Sequence, residues 1–480
     1  MQHHGAVTGV RNCRKTLAGA LALVMLSAVA ACGATEIESG TDSLTADTTG
    51  ARDGAADVTT APSPVTDTSG TSDEQEPGTT AAVDEADSAA ADPEPTLPAA
   101  VVPLSGWAAV DQYLEVTIVR SGSSAASVAV LRNGELQHQA AYGQRVADDP
   151  VGPTDLFRVA SISKTILAIT ALELVEDGVL TLDDPVGGQL AGGLDVGSPT
   201  AGTESITVRN LLTHRSGFPQ YEDLFFRNEV DSCADAARAG FNDSLQSAPG
   251  TEFQYSNMNF CVLGLLIEQV TGAPYSQIVQ DEVLAPLGIT TMRTAATFDL
   301  EPGDVQHAST EGRNYMEVLG GAGAWLAAPT DLVTIFDTLD PSTPGTKILE
   351  PATLELMATI TETPPVPVED VIVDGAPSTL APTTTVEPPP PTKGYGMGLI
   401  IFERPLDSEL TAATYGHTGT LESTHAMVVR RPDGLTWAIT VSGDYPSSTP
   451  ELAKIMDNAL FLGGFADGSY TTPSPPLGSD

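Results

Sequence analysis

At 480 residues and 41% hydrophobic side chains, the chain is long enough for one large core or two domains. A formal charge of −42 and a pI near 4.1 exclude a nucleic-acid partner, because phosphate recognition needs a basic surface. Four cysteines without a paired Cys-x-x-Cys, no His-Glu-x-x-His and no histidine-rich tract give no reason to expect a metal or a cofactor.

Taken in chain order, Arg11, Arg14 and Lys15 precede an apolar run over 17–31 that ends in Val29-Ala30-Ala31-Cys32-Gly33. This is the layout of an export signal, and the run is short for a spanning helix, which needs about 20 apolar residues. Small residues before a cysteine resemble a bacterial lipobox. The resemblance implies that 1–31 is a lipoprotein signal peptide, that Cys32 takes the lipid, and that the protein sits on the outer face of the bacterial membrane. It would touch the membrane through that lipid anchor alone. Residues 32–100 are rich in Ala, Thr, Ser, Asp, Glu and Pro and carry roughly a third of the net charge, too polar and self-repelling to bury a core. They are expected to form a disordered tether of about 40–50 Å mean span.

Folding is expected over 101–465. A helix is predicted over 107–119, and strands over 127–131 and 137–142 bracket Arg132-Asn133-Gly134-Glu135, an Asn-Gly hairpin signal. A helix follows over 161–177, with Gly178 as its stop. The stretch from Leu182 reads mainly helical, with candidates at 208–212, 231–239, 258–271, 275–283 and 329–339. Residues 361–393 are dense in Pro, Thr and Val and read as a surface insertion. Strand character returns over 395–402, 426–430 and 437–441, with Pro432-Asp433-Gly434 as a turn, and a helix over 450–462 closes the domain ahead of a flexible tail at 466–480. Strands at both ends and helices between them give an α+β class: one antiparallel sheet flanked by helices, with a mainly helical region inserted. Cys233 and Cys261 are the cysteine pair of the exported domain, and an oxidising compartment makes a disulfide between them reasonable.

Three short motifs carry chemistry. In Ser161-Ile162-Ser163-Lys164 the first and last residues share a helical face, which brings an amine to a hydroxyl at the positive end of a helix. Tyr255-Ser256-Asn257 follows the turn-like Pro249-Gly250-Thr251-Glu252, and His417-Thr418-Gly419-Thr420 precedes strand-like residues. Each alone has an ordinary structural reading: a helix start with a solvated lysine, an Asn helix cap, the start of an edge strand.

Together the three resemble the active-site set of the serine β-lactamase and penicillin-binding protein superfamily, in the branch of class C β-lactamases and D-alanyl-D-alanine carboxypeptidases. Supporting segments are Glu173-Leu174-Val175-Glu176-Asp177-Gly178-Val179-Leu180, the run Ile206 Thr207 Val208 Arg209 Asn210 Leu211 Leu212 Thr213 His214 Arg215 Ser216 Gly217, Gly323-Ala324-Trp325 and Tyr395-Gly396-Met397-Gly398. The resemblance implies a β-lactamase/transpeptidase-like fold and Ser161 as acylated nucleophile, with Lys164 and Tyr255 relaying its proton. It implies Asn257 as a clamp on Lys164 and on the substrate's amide. His417, Thr418, Gly419 and Thr420 would form the strand edge along which substrate lies, and the backbone N–H groups of Ser161 and Thr420 the oxyanion hole.

The implied substrates are a peptidoglycan stem peptide ending in D-Ala-D-Ala or, alternatively, a β-lactam or small ester. From another class comes a non-catalytic wall-binding protein on the same fold. A histidine at 417, where many β-lactamases have lysine, tilts the expectation toward the carboxypeptidase. A substrate carboxylate would then lean on the Thr418 and Thr420 hydroxyls, or on an arginine from elsewhere such as Arg404. His214 has a structural role in this reading, and Ser423 stands where relatives often have glycine. The insertion is expected to hang off the surface.

Overall fold

A computed structural model describes residues 104–361, 391–466 and 471–473. The signal segment, Cys32, the tether and nearly all of the 361–393 insertion lie outside the described residues, as does most of the tail. In that tail Thr472 Oγ1 donates to Asp457 Oδ1 at 2.8 Å on the closing helix.

Asn133 and Gly134 both adopt positive φ, 51° and 82°, as a tight Asn-Gly hairpin requires, and they join strand β1 (Ala125–Arg132) to β2 (Glu135–Val146). The remaining strands are β3 (Asp149–Pro150), β4 (Phe157–Arg158), β5 (Arg293–Thr294), β6 (Trp325–Ala327), β7 (Gly394–Tyr395), β8 (Ile400–Glu403), β9 (Thr414–Leu421), β10 (Thr424–Arg430) and β11 (Leu435–Ser442). Eight of them form one sheet in the order β3-β2-β1-β11-β10-β9-β8-β7, with every pairing antiparallel. The first and last strands pair near its centre, β1 with β11 from Ala125 opposite Ser442 to Arg132 opposite Leu435.

Side chains alternate across the central strands with period two. Val128, Val130, Met427, Val429, Trp437 and Ile439 face a layer built on the helices Trp107–Leu114 and Glu451–Gly463, with Val110, Leu114, Met456 and Leu460. Ala129, Leu131, Ala426, Val428 and Ala438 face the larger helical layer, with Ile166, Ile169 and Phe336 from the helices Ile162–Glu176 and Pro329–Asp337. Small residues on this second face let the Ile162–Glu176 helix sit close to the sheet. That helix is buried almost all round, so its sequence shows little amphipathic bias.

The predicted strand over 395–402 is broken in two. A Cβ on Gly396 would lie 2.2 Å from the Met357 carbonyl oxygen, and one on Gly398 (φ 67°) would lie 2.5 Å from Ala168 Cβ, so the chain turns here against the Ile162–Glu176 helix. Thr165 Oγ1 seals the contact by donating to the Gly398 carbonyl at 2.7 Å. A second, small sheet in the order β4-β6-β5 carries the chain toward Ser161.

Candidate active site

Val159 leaves β4 with its N–H bonded to the Trp325 carbonyl at 3.2 Å, and Ala160 then takes a left-handed conformation (φ 48°). This turn places Ser161 immediately ahead of the Ile162–Glu176 helix, where unpaired backbone donors and the helix dipole favour negative charge. The Ser161 hydroxyl makes no cap bond to its own helix. Its partner is Lys164, one turn on, whose Nζ lies 2.9 Å from Ser161 Oγ. Nζ also lies 2.9 Å from Asn257 Oδ1 and 2.9 Å from the Ala322 carbonyl, and 5.0 Å above the centre of the Tyr255 ring. Lys164 is fully buried, and desolvation holds its pKa well below the ordinary lysine value. An ammonium would use all three acceptors, whereas a neutral amine would keep a lone pair for the serine proton.

Tyr255 and Asn257 arrive on a second helix start. The cap there is Ser256: its hydroxyl accepts from Met258 N–H at 3.3 Å and donates to the Pro219 carbonyl at 2.6 Å, which leaves Asn257 free to face Lys164. His214, fully buried and at φ 55°, supports this start from below. Its Nδ1 accepts from Ser256 N–H at 3.2 Å and lies 3.0 Å from Asn259 Nδ2, and its ring lies 4.4 Å from that of Tyr255. Burial, together with the positive potential of Lys164, holds the His214 pKa well below its ordinary value, so the ring is neutral.

β9 supplies the opposite side. A Cβ on Gly419 would lie 2.2 Å from the Val159 carbonyl oxygen, so only glycine lets this strand approach the turn before Ser161. The β8 pairing ends opposite Gly416, so β8 does not cover the continuing edge of β9. Of His417, Thr418, Gly419 and Thr420, Thr420 alone lines the cavity above Ser161, joined there by Leu421 of the same strand. His417 is fully buried, its Nε2 lies 3.1 Å from Tyr395 Oη and its Nδ1 lies 2.6 Å from the Thr418 carbonyl, so its ring is turned to Tyr395 and lies outside the cavity lining. Burial is the main cause that pushes its pKa down to about 3. Thr418 is likewise buried and outside the lining. Arg404 is also elsewhere, held by Glu355 Oε2 at 2.8 Å. Ser423 turns the β9–β10 hairpin at φ 54° and bonds Asp444 without reaching the cavity.

The cavity holds about 390 Å³, with Ser161, Tyr255, Asn257 and Gly323 at its floor. One wall is Thr420, His425, Ser447, Ser448 and Thr449; the other is Gln220, Glu222, Phe226 and Leu319. Sequence reasoning missed both walls apart from Thr420. A signal was present for His425, which stands five residues past Thr420 and falls opposite it once β9 and β10 form a tight hairpin. Thr449 ties that wall together: its Oγ1 lies 2.6 Å from Thr420 Oγ1 and 2.8 Å from His425 Nδ1.

Cys233 and Cys261 are joined in a disulfide with Cα atoms 5.7 Å apart. It packs under Gly320, the start of the turn that carries the Ala322 carbonyl to Lys164. Among the described residues Glu173, Asp177 and Glu282 come close enough to hold a cation, but Glu173 and Asp177 lie at the far end of the Ser161 helix, about 20 Å along it.

The family model for beta-lactamase matches residues 108–460. Among curated proteins, Protein flp of Staphylococcus aureus strain MW2 is 32% identical over 183 residues, which cover 37% of this chain and 36% of that protein. Penicillin-binding protein 4* of Bacillus subtilis strain 168 is 30% identical over 163 residues, covering 32% and 34%. The matched region thus spans about a third of the length of these relatives. Among solved structures, a D-stereospecific amidohydrolase from Streptomyces sp. superposes with a TM-score of 0.54 at 25% identity, covering 74% of this chain and 98% of that one. The octameric penicillin-binding protein homologue from Pyrococcus abyssi does so at 0.56 and 22% identity, covering 74% and 77%.

Proposed function

The chain belongs to the beta-lactamase family, and on that premise we propose that it is an exported serine hydrolase that works through an acyl-enzyme on Ser161. The donor is a small amide or ester of the D-alanyl type that peptidoglycan stem peptides offer. The observation that carries the reading is Lys164 Nζ, buried and fixed 2.9 Å from Ser161 Oγ. Ser161 Oγ attacks the carbonyl carbon while its proton passes to the Lys164 and Tyr255 pair. The oxyanion is received by the backbone N–H groups of Ser161 and Thr420, each worth about 3 kcal/mol in such sites. Collapse of the tetrahedral species breaks the bond to the amine or alcohol, which leaves with that proton. Water then attacks the acyl-Ser161 ester, releasing the acid and restoring the hydroxyl.

Asn257 orients Lys164, and His417, His214 and Tyr395 hold the surrounding rings in place without touching substrate. The names Penicillin-binding protein 4* and D-stereospecific amidohydrolase among the relatives support a D-configured donor. The Arg-Arg-Lys, apolar and Ala-Ala-Cys32 order supports export with a lipid on Cys32 at the outer face of the membrane. Incorporation of a labelled fatty acid that disappears in Cys32→Ser tests that part. For the chemistry, purified protein should release D-alanine or D-alaninamide from N-acetyl-D-alanyl-D-alanine or its amide. Unchanged turnover in Ser161→Ala would overturn the assignment of Ser161, and no turnover by the unsubstituted protein would leave a binding protein on this fold.

A further inference from the structure

Two of the three acceptors around Lys164 Nζ come from elements that the Cys233–Cys261 disulfide touches. Asn257 opens the Asn257–Thr271 helix and Ala322 closes the Gly320–Ala322 turn, and each gives Nζ an acceptor at 2.9 Å. Cys261 stands one turn past Asn257 on that same helix. Cys233 lies against the turn: a Cβ on Gly320, at φ 50°, would lie 3.2 Å from Cys233 Cβ and 3.4 Å from its Sγ. The turn has no slack on its other side. A Cβ on Gly321 would lie 2.6 Å from Leu167 Cδ2, on the Ser161 helix, and 2.9 Å from the carbonyl oxygen of Phe260, the residue before Cys261. In so tight a packing, a change at the disulfide is passed on to the Ala322 carbonyl.

The bond can also be reached. A second cavity, of about 230 Å³, has Cys233, Cys261, Glu268, Tyr275, Gly320 and Gly321 in its lining. It shares no lining residue with the cavity above Ser161, so a reagent that enters it need not compete with substrate. Cys233 is half-buried and Cys261 fully buried, which makes Cys233 Sγ the sulfur open to an incoming thiolate.

We propose that the Cys233–Cys261 disulfide is a redox-sensitive positioning element for Lys164: a small dithiol that enters the second cavity opens the bond and thereby slows acylation at Ser161. The proposal rests on Lys164 taking the Ser161 proton in the acyl-transfer reading. One thiolate of the dithiol attacks Cys233 Sγ, and Cys261 leaves as a thiolate. The second thiol of the reagent then displaces Cys233 as its own disulfide closes. Two electrons and two protons pass to the cysteines, and the reagent departs as a cyclic disulfide. Two thiols cannot keep the roughly 2 Å separation of a bonded pair, so the side chains part to ordinary contact distance. With Gly320 already against Cys233, that parting shifts the turn and unseats the acceptor at Ala322.

Dithiothreitol treatment of the purified full chain tests this, with mass spectrometry to show free thiols at Cys233 and Cys261. Reduction should lower kcat for p-nitrophenyl acetate at least about ten-fold with KM nearly unchanged, and reoxidation should restore it. The joint Cys233→Ser and Cys261→Ser variant should sit at the reduced level and ignore dithiothreitol, which separates this bond from Cys13 and Cys32. Hydrogen-exchange mass spectrometry gives a readout independent of turnover. Reduction should speed exchange in peptides covering 257–264 and 315–325 while β1 and β11 stay protected. Full kcat with both thiols free, a loss carried by KM, a bond that dithiothreitol does not open in the folded protein, or exchange that rises equally throughout the sheet would each overturn the proposal. Failure of the acylation reading has a separate signature, p-nitrophenolate release that persists in Ser161→Ala whatever the state of the disulfide.

Discussion

The floor and the walls of the cavity differ in how their polar atoms are held. At the floor Lys164 is fully buried and its Nζ has three acceptors at 2.9 Å, packed beneath an aromatic cluster of Tyr255, His214 and Tyr395. On the walls Glu222, Ser447 and Ser448 are exposed to solvent. A dry, fixed floor suits proton transfer, because preorganised groups need no rearrangement in the transition state. A wetter wall suits discrimination. Substitutions at the floor should therefore act on kcat and those at the walls on KM.

Lys164→Met tests the floor most severely, since it keeps the stem and removes the amine. Steady-state ester and amide turnover should fall by about 10²–10⁴ in kcat, with KM changed little. A loss carried mainly by KM would erase the distinction between floor and wall. Gly419→Ala tests how the two sides are brought together. A Cβ 2.2 Å from the Val159 carbonyl oxygen must push β9 from the Ser161 turn, and a displacement near 1 Å costs on the order of 10²-fold in activity.

At the wall, Thr449→Val preserves shape but strips the partner from Thr420 Oγ1 and His425 Nδ1. KM should rise about ten-fold, in line with one or two lost hydrogen bonds, while kcat holds. The last prediction concerns stability and not activity. His417, with its pKa pushed down to about 3 in the fold, stays neutral where an unfolded chain takes up a proton below about 6.5. Stability is thus fully present above about pH 6.5 and declines toward pH 3, at most about 1.4 kcal/mol per pH unit from this one residue. Denaturant melts across that range should show a shallower decline in His417→Asn.

The floor was legible in the sequence and the walls largely were not. Ser161 with Lys164, and Tyr255 with Asn257, sit two or three residues apart because a helix start must present both members of each pair, so short motifs preserve them. Glu222 and Thr449 come to one cavity only after a helix tip and a loop have folded, and nothing in their local spacing records that arrangement. His417 was legible as a residue but not as a buried one, since its burial depends on Tyr395 approaching from β7. The sheet's central strands were legible from apolar runs. The two-residue strands β4 and β5 carry too few side chains for any period, and the break at Gly396 and Gly398 is set by contact with Met357 and Ala168.

The central claim is that Ser161 becomes covalently acylated. Mixing the protein with a D-alanyl p-nitrophenyl ester, quenching rapidly in acid and mapping peptides by mass spectrometry tests this directly. The account predicts one acyl mass increment on the peptide that contains Ser161, formed at the rate of p-nitrophenolate release and absent from Ser161→Ala. An increment on another residue, or turnover with no covalent species at any quench time, would contradict it.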